Sequence, residues 1–217
     1  MAKFFKDNGL TLVLLLLFGG SLIGQWFAGW SVANEDLQRH GQPLLGPIAY
    51  LADAAFLSSV FENWESEFLQ MGVYVVLTAY LVQRGSSESK DPDEPERDVL
   101  PSKDPKAPAL AKAKGAAAWL YGHSLGLALG LLFAASFVLH WVFSAQAAAQ
   151  EAIEHGEAAQ SIIAYLGDPQ LSFESFQNWQ SEFLSTAVLV VLSICLRQKN
   201  SPESKPVAAP NSATGSG

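Results

Sequence analysis

Two glutamates, each inside a copy of the same seven-residue motif, are the side chains of this chain best suited to chemistry. Glu67 lies within residues 63–69 and Glu182 within residues 178–184, and both segments read Asn-Trp-x-Ser-Glu-Phe-Leu. Each copy leads directly into an apolar run. A carboxylate at the entrance to an apolar helix can bind a cation or a proton, or it can stabilise the positive end of the helix.

Helical spacing places Asn63 and Glu67 in one polar stripe, and the second copy repeats the arrangement. The candidate polar site is therefore Asn63, Glu67, Asn178 and Glu182, with Ser66 and Ser181 as secondary members. The variable position of the motif is Glu65 in one copy and Gln180 in the other, so the pattern does not require a charge there.

Two interpretations of Glu67 and Glu182 stay open. In the structural one, each carboxylate stabilises a helix N-terminus by about 0.3–1 kcal/mol while Asn and Ser satisfy free backbone donors and Trp anchors the membrane interface. In the functional one, the two carboxylates face a polar cavity between helices and mark an ion or proton path. The structural interpretation is favoured because the motif lies near the surface, where a charge costs less than at the midplane.

Two histidines, His40 and His155, each precede a glycine and suggest a metal site built from two His and two Glu. However, a helix-ending turn explains His-Gly equally well, and no His-x-x-x-His spacing is present. We therefore keep both histidines as secondary candidates and expect neither a metal nor a cofactor. No nucleophile elbow, phosphate loop or Cys pair is visible, so an enzyme is the least favoured class.

The two motifs begin at residues 63 and 178, and the same offset of 115 aligns more of the chain. Trp26 aligns with Trp141, residues 48–51 align with 163–166, and 86–90 align with 201–205. An ungapped match of this length predicts that one unit was duplicated head to tail. The two glutamates would then lie at the same depth, related by a pseudo-twofold axis.

Apolar residues concentrate in four runs: Leu10 to Trp30, Phe68 to Val82, Trp119 to Phe143 and Phe183 to Leu196. A membrane-spanning helix needs roughly 20 residues, which the two shorter runs reach only if their helices begin at the Asn-Trp motif. The predicted fold is an all-α membrane protein with four transmembrane helices, arranged as two tandem hairpins of the same orientation.

The net charge is −8, and all but one of the 13 Lys and Arg residues lie in the N-terminal segment, the middle linker or the tail. The exception is Arg39. By the positive-inside rule both termini are cytoplasmic, and the acidic loops lie outside. Lys3 and the apolar run after it also resemble a signal peptide, but the duplicate of that run in mid-chain favours a retained helix.

These features predict the domain organisation. The predicted segments are a first hairpin (1–84), a disordered cytoplasmic linker (85–115), a second hairpin (116–197) and a disordered cytoplasmic tail (198–217). The outer loops are expected to be helical: an amphipathic helix starts at Pro47 and continues through Trp64, and Gln146 to Leu166 forms another.

The double Asn-Trp-x-Ser-Glu-Phe-Leu motif, followed by an apolar run and Ser-x-Glu-Ser-Lys, resembles an uncharacterised bacterial family of small four-helix membrane proteins. The resemblance covers nearly the whole chain. It implies a location in the bacterial inner membrane and the topology given above, but no activity.

The first functional hypothesis is a small non-enzymatic membrane protein that binds or conducts a cation or proton at the paired glutamates, as an oligomer. The alternative is a scaffold or accessory subunit whose small-residue helix faces dock another membrane protein. The expected partners are the lipid bilayer and either a second copy or another membrane protein, with no nucleic acid.

Overall fold

The computed structural model describes residues 2–94 and 106–215. Helices account for 70% of the residues, and the described ranges contain no β-strand. The α-helices are α1 (Ala2–Arg39), α2 (Pro47–Tyr50), α3 (Ala54–Tyr80), α4 (Ala116–Gly122), α5 (Ser124–Glu154), α6 (Ile162–Tyr165) and α7 (Pro169–Cys195). A short 3-10 helix, Ala109–Lys112, precedes α4.

Two helices in the described ranges are long and apolar enough to cross a membrane. They are Lys3–Arg39 and Ser124–Glu154, which contain 18-residue stretches with mean hydropathies of 1.9 and 2.0. The all-helical class agrees with the sequence pattern. Of the four predicted crossings, these two helices have the required length and composition, and the other two stay a prediction.

Aspartates define where α3 and α7 begin. The Oδ1 atom of Asp53 accepts the backbone N–H groups of Ala55 and Phe56 at 3.0 and 3.3 Å, and Asp168 accepts that of Gln170 at 2.9 Å. Such caps satisfy backbone donors that a helix start leaves free. The sequence predicts one continuous helix over 47–64, whereas the structure has two. The first, α2, ends at Tyr50, and α3 begins at Ala54 because Asp53 caps it.

Glycines in the left-handed conformation end α1 and the equivalent helix α5. Gly41 has φ 67° and Gly156 has φ 73°. The following amides then reach back into the helix: Gln42 donates to the carbonyl of Leu37, and Glu157 to that of Ala152, both at 2.8 Å. This is the Schellman arrangement, which favours glycine because other residues rarely adopt positive φ. The helix expected over 146–166 is accordingly interrupted after Glu154.

The third apolar run also contains a break, between α4 and α5 at His123. The Nδ1 atom of this histidine lies 2.8 Å from the carbonyl oxygen of Trp119, and the two rings stack with centroids 4.6 Å apart. The helix that continues from Ser124 has 31 residues, or about 46 Å at 1.5 Å per residue. That length still exceeds the roughly 30 Å of a hydrocarbon core.

The chain divides into two compact units, of which the first comprises Met1–Val60 and Val142–Ser161. In this unit the loop after α1 folds back on the helix. Asn34 exchanges two hydrogen bonds with the backbone of Leu45, at 2.8 and 3.0 Å, and the indole of Trp30 donates to the same carbonyl at 2.7 Å. The loop is therefore fixed by side chains of the helix that it follows.

Tyr50 is the most important packing residue of this loop. It is 6% exposed, and its ring lies against Phe56 with centroids 5.2 Å apart. Its hydroxyl approaches α1 so closely that a Cβ atom on Gly29 would lie 2.6 Å from it. Only glycine provides the space for this contact.

The second unit comprises Phe61–Trp141 and Ile162–Gly217. In it, the side-chain amide of Gln70 on α3 donates to the backbone carbonyl of Glu182 at 2.9 Å and to the hydroxyl of Thr186 at 2.6 Å, both on α7. These bonds join the two helices, since a polar side chain between apolar helices must find its partner across the interface.

The Ser-x-Glu-Ser-Lys segments form the same turn after α3 and after α7. The Ser89 hydroxyl accepts the backbone N–H of Gln83 at 2.9 Å, and the Ser204 hydroxyl accepts that of Gln198 at 2.9 Å. Each serine also donates to the carbonyl of the following lysine, at 3.1 and 3.2 Å. The disorder expected for 85–115 and 198–217 stays a prediction: residues 95–105 and 216–217 lie outside the described residues, and the described parts include these turns.

The tail packs against the turn after α3 through a buried lysine. Lys205 is 1% exposed, and its ammonium group donates to the carbonyls of Asn211 and Ala213 at 3.0 and 2.8 Å and to that of Gly85. We call Lys205 and these three carbonyl oxygens the lysine clasp. It joins residues of the linker to residues of the tail within this unit.

Candidate functional site

The predicted site residues lie at the surface of α3 and α7 or partly covered there. Asn63 and Glu67 are exposed, Asn178 and Glu182 are half-buried, and Ser66 is buried. The motif serines are hydrogen-bonded within their own helices: Ser66 donates to the carbonyl of Asn63 at 2.9 Å, and Ser181 to that of Asn178 at 2.7 Å.

The structure brings Glu67 and Glu182 within electrostatic range of each other, so that two ionised carboxylates would repel. Asn178, in contrast, turns to another acid: its side-chain amide donates to Glu62, one residue before the first motif. Asn178 is also hydrogen-bonded to the backbone carbonyl of Glu174, at 3.2 Å.

His40 and His155 lie at the ends of α1 and α5. Each Nδ1 atom contacts the backbone carbonyl four residues earlier, that of Asp36 at 3.0 Å and that of Glu151 at 2.8 Å. His155 lies outside the candidate spanning segment, and its side chain is exposed to solvent. The hydrogen bond to the Glu151 carbonyl raises the pKa of His155 above its ordinary value, and the nearby carboxylates of Glu151, Glu157 and Glu154 add to the effect.

A buried group that neither motif predicted lies in the second unit. The Nδ1 atom of His140, on α5, is 2.7 Å from Oε2 of Glu65 on α3, and its Nε2 atom is 3.2 Å from Oε2 of Glu174 on α7. His140 and Glu65 are both 0% exposed, and the Glu174 side chain is 20% exposed. We call these three residues the buried triad.

Further donors surround the triad. The indole N–H of Trp179 donates to Oε1 of Glu65 at 2.9 Å, and the Gln170 amide donates to Oε1 of Glu174 at 2.9 Å. The Trp179 ring also packs edge-on against Phe133, with centroids 6.2 Å apart. Each carboxylate thus has one oxygen on the imidazole and the other on a neutral donor, an arrangement that compensates for the removal of charge from water.

The geometry of the triad determines how many protons it must hold for both of its contacts to be hydrogen bonds. A neutral imidazole donates from only one ring nitrogen, whereas His140 has a carboxylate oxygen at both. Both contacts are hydrogen bonds only if the ring is doubly protonated, or if it is neutral and one carboxyl holds a proton. Loss of that proton would leave a ring lone pair against a carboxylate. The triad is therefore a proton-binding arrangement.

The sequence held a signal for this group in the positions where the two halves differ. At four positions an ionisable side chain stands 115 residues from a neutral one. The four combinations are Glu62 with Gln177, Glu65 with Gln180, His140 with Gln25, and Glu174 with Ser59. In the first unit Gln25 donates to the hydroxyl of Ser59 at 3.0 Å, which is the neutral counterpart of the contact between His140 and Glu174. Sequence reasoning concentrated on residues that the copies share and so missed the triad.

Within residues 2–94 and 106–215, no group of three or more His, Cys, Asp or Glu side chains is arranged to hold a metal ion. In the triad, both ring nitrogens of His140 are occupied by carboxylate oxygens.

The chain is an all-helical protein in which two helices are candidates for crossing a membrane. It belongs to the family described as a domain of unknown function, DUF6766, which matches residues 1–216. Neither the curated proteins nor the solved structures contain a match to this chain.

Proposed function

We propose that this chain is a bacterial inner-membrane protein of four crossing helices, formed by two tandem hairpins with both termini in the cytoplasm. The two 27-residue helices α3 and α7 support the additional crossings, since each is about 40 Å long and carries an apolar C-terminal half. Twelve basic residues in the terminal and linker segments support the orientation.

Contacts that recur 115 residues apart support the duplication. The indole of Trp26 donates to the carbonyl of Pro47 at 2.8 Å, and that of Trp141 to the carbonyl of Ile162, also at 2.8 Å. The aspartate caps, the Schellman turns and the Ser-x-Glu-Ser-Lys turns recur with the same spacing. Two copies of one hairpin fold would give these repeats directly.

A single accessible thiol tests the topology. In a Cys195→Ser background, His155→Cys should react with a membrane-impermeant maleimide in intact cells, and Lys199→Cys only after lysis. Reaction of residue 199 in intact cells, or protection of residue 155, would contradict the orientation.

We propose further that the protein binds a proton at the buried triad, and that this binding is a step in proton conduction. The observation that carries this proposal is His140, completely buried and flanked by two carboxylates. Ionisable groups inside membrane proteins are costly and commonly serve ion or proton paths. Glu67 and Glu182 lie on the same two helices and are proposed as a secondary cation-binding pair.

Infrared difference spectroscopy tests proton binding. On acidification the wild-type protein should show a carboxylic C=O band or an imidazolium band of the triad in addition to the bands of its other acidic and histidine residues, and this band should shift or disappear in His140→Gln and Glu174→Ser. These substitutions introduce the residues found 115 positions earlier, which limits steric damage. His155→Gln is the control and should retain the band. Variants whose pH-difference spectrum matches that of the wild type would contradict the proposal.

Conduction is measured separately, as dye-reported proton flux in proteoliposomes. We expect flux in the wild type and loss of it in His140→Gln, with Glu67→Gln/Glu182→Gln testing the secondary pair. Background flux in the wild type with an intact infrared response would restrict the function to proton binding.

A scaffold function is the second candidate, and α1 supports it. Side chains from Leu10 to Leu17 are mostly exposed, and Gly20 and Gly24 have open space beside them. Small residues four apart permit close approach of a second helix. A stoichiometric partner, or a self-crosslink, that is lost in Gly20→Leu/Gly24→Leu would favour this function.

A further inference from the structure

An apolar cleft lies between α3 and α7 in the second unit and is used by none of the functions above. Its volume is about 630 Å³, and Val73 and Leu77 on α3 and Ala187 and Val190 on α7 are among its lining residues. This volume lies within the 300–1,000 Å³ range of pockets that bind small organic ligands.

The two ends of the cleft are polar and differ in chemistry. At one end Gln70 joins α3 to α7 by its bond to Thr186. At the other end lies the turn after α3, where the Tyr74 hydroxyl donates to Oε2 of Glu88 at 3.0 Å. Among the described residues Glu88 makes no ion pair, and its carboxylate borders this mouth of the cleft.

The length of the cleft matches one leaflet of a bilayer. Its lining residues run along α3 from Gln70 to Thr78, a distance of about 12 Å at 1.5 Å per residue, and continue into residues 81–83 beyond the end of the helix at Tyr80. One leaflet contributes roughly half of a 30 Å hydrocarbon core. The cleft is therefore long enough for one linear hydrocarbon chain and too short for a helix that crosses the membrane.

We propose that this cleft binds an acyl chain of an amine-headed phospholipid from the cytoplasmic leaflet, with the ammonium group beside Glu88. The inference rests on the membrane topology proposed above, which places the mouth at the cytoplasmic surface, but it does not depend on proton binding. An apolar space of this size in a bilayer is filled by hydrocarbon, because an empty one forfeits its dispersion contacts. Lys90, held with its ammonium group 2.6 Å from the Ala79 carbonyl oxygen, supplies a positive charge on the same turn for the lipid phosphate.

Photo-crosslinking tests the site. The protein is reconstituted in phosphatidylglycerol vesicles with a small fraction of phosphatidylethanolamine that carries a diazirine in its acyl chain. After illumination, the labelled peptides should contain the cleft side of α3 and α7. Even labelling of every exposed apolar helix, α1 included, would reduce the site to ordinary surrounding lipid and overturn the proposal.

Two matched variants separate the cleft from the neighbouring surface. Ala187→Phe fills the cleft and should abolish the specific label, whereas Val188→Phe adds the same ring at the next residue, which is 44% exposed, and should keep it. If Ala187→Phe does not fold by size-exclusion chromatography, Leu77→Trp fills the cleft from α3. Retention of the label in a folded, filled variant would refute the site.

The headgroup is tested by competition with unlabelled lipid. Phosphatidylethanolamine should displace the probe better than phosphatidylglycerol, and Glu88→Gln should remove that difference. Equal competition in the wild type would refute the headgroup assignment. Failure of the topology is distinguishable, because a chain that does not span the membrane would be released by carbonate extraction and would take up no label in any variant.

Discussion

The Nδ1 atom of His140 lies 2.7 Å from a carboxylate oxygen of Glu65, and neither side chain is exposed. The two residues are 75 positions apart in the sequence, His140 on α5 and Glu65 on α3. Taking both groups from water is expensive, and the pair is tolerable only while each partner retains the other.

Removal of one partner should therefore cost more than removal of both. Glu65→Gln or His140→Gln alone should destabilise the protein by about 3–5 kcal/mol, as when one member of a buried ion pair is lost. The double variant should recover much of that loss, because the first half of the chain already has Gln25 at the equivalent of residue 140, and Gln180 is the counterpart of Glu65. Chemical unfolding in detergent gives the coupling energy. Additive losses would show that the two side chains do not act as a pair.

The turn at the end of α5 should weaken as pH rises. The pKa of His155 is raised in the folded chain, chiefly by its hydrogen bond to the Glu151 carbonyl. A raised folded pKa means that the stabilisation is complete below the ordinary value of about 6.5 and is lost as pH rises through the folded value. Histidine NMR titration should place the His155 midpoint above that ordinary value. In His155→Gln the local pH dependence should disappear, and its persistence would assign the effect elsewhere.

The lysine clasp should control the order of the tail. Lys205→Met keeps the side-chain length but leaves three carbonyl acceptors without their donor, at a cost on the order of 1–3 kcal/mol for each group that stays buried. Limited proteolysis should then cut within 198–215 faster than in the wild type. Lys199→Met, at an exposed position, is the control and should leave the cutting rate unchanged. Equal protection of both variants would mean that other contacts hold the tail.

A methyl group at residue 29 should disturb the loop after α1. The Cβ atom of Gly29→Ala would lie 2.6 Å from the Tyr50 hydroxyl, so the loop must shift, at about 1–3 kcal/mol. Gly20→Ala is the matched control because nothing lies within 4 Å of its Cβ position. Thermal unfolding should show a lower midpoint for the first variant only. If Tyr50→Phe did not relieve the loss in Gly29→Ala, the hydroxyl would not be the obstructing atom.

Local features of the fold could be read from the sequence. Gly41 and Gly156 were recognisable as the ends of helices, because this signal depends on a few neighbouring residues. Asp53 was overlooked as a cap, since the apolar periodicity continues across it. The apolar runs of α1 and α5 predicted their spanning length for the same local reason.

The buried triad could not be read in this way. Glu65, His140 and Glu174 lie on three helices, and helical periodicity identifies the face of each residue but not which faces meet. A search restricted to shared residues also discards Glu65, whose counterpart is Gln180. The comparison that would have found the triad asks where residues 115 positions apart differ in charge rather than where they agree.

The lysine clasp has a consequence for the synthesis of the chain. The carbonyl of Gly85 receives its ammonium partner from a residue 120 positions later. The carbonyl of Gly85 therefore stays without this donor until residue 205 has been synthesised. A chain truncated anywhere before residue 205 would lack the clasp, and the turn after α3 would keep only the hydrogen bonds that do not involve the tail.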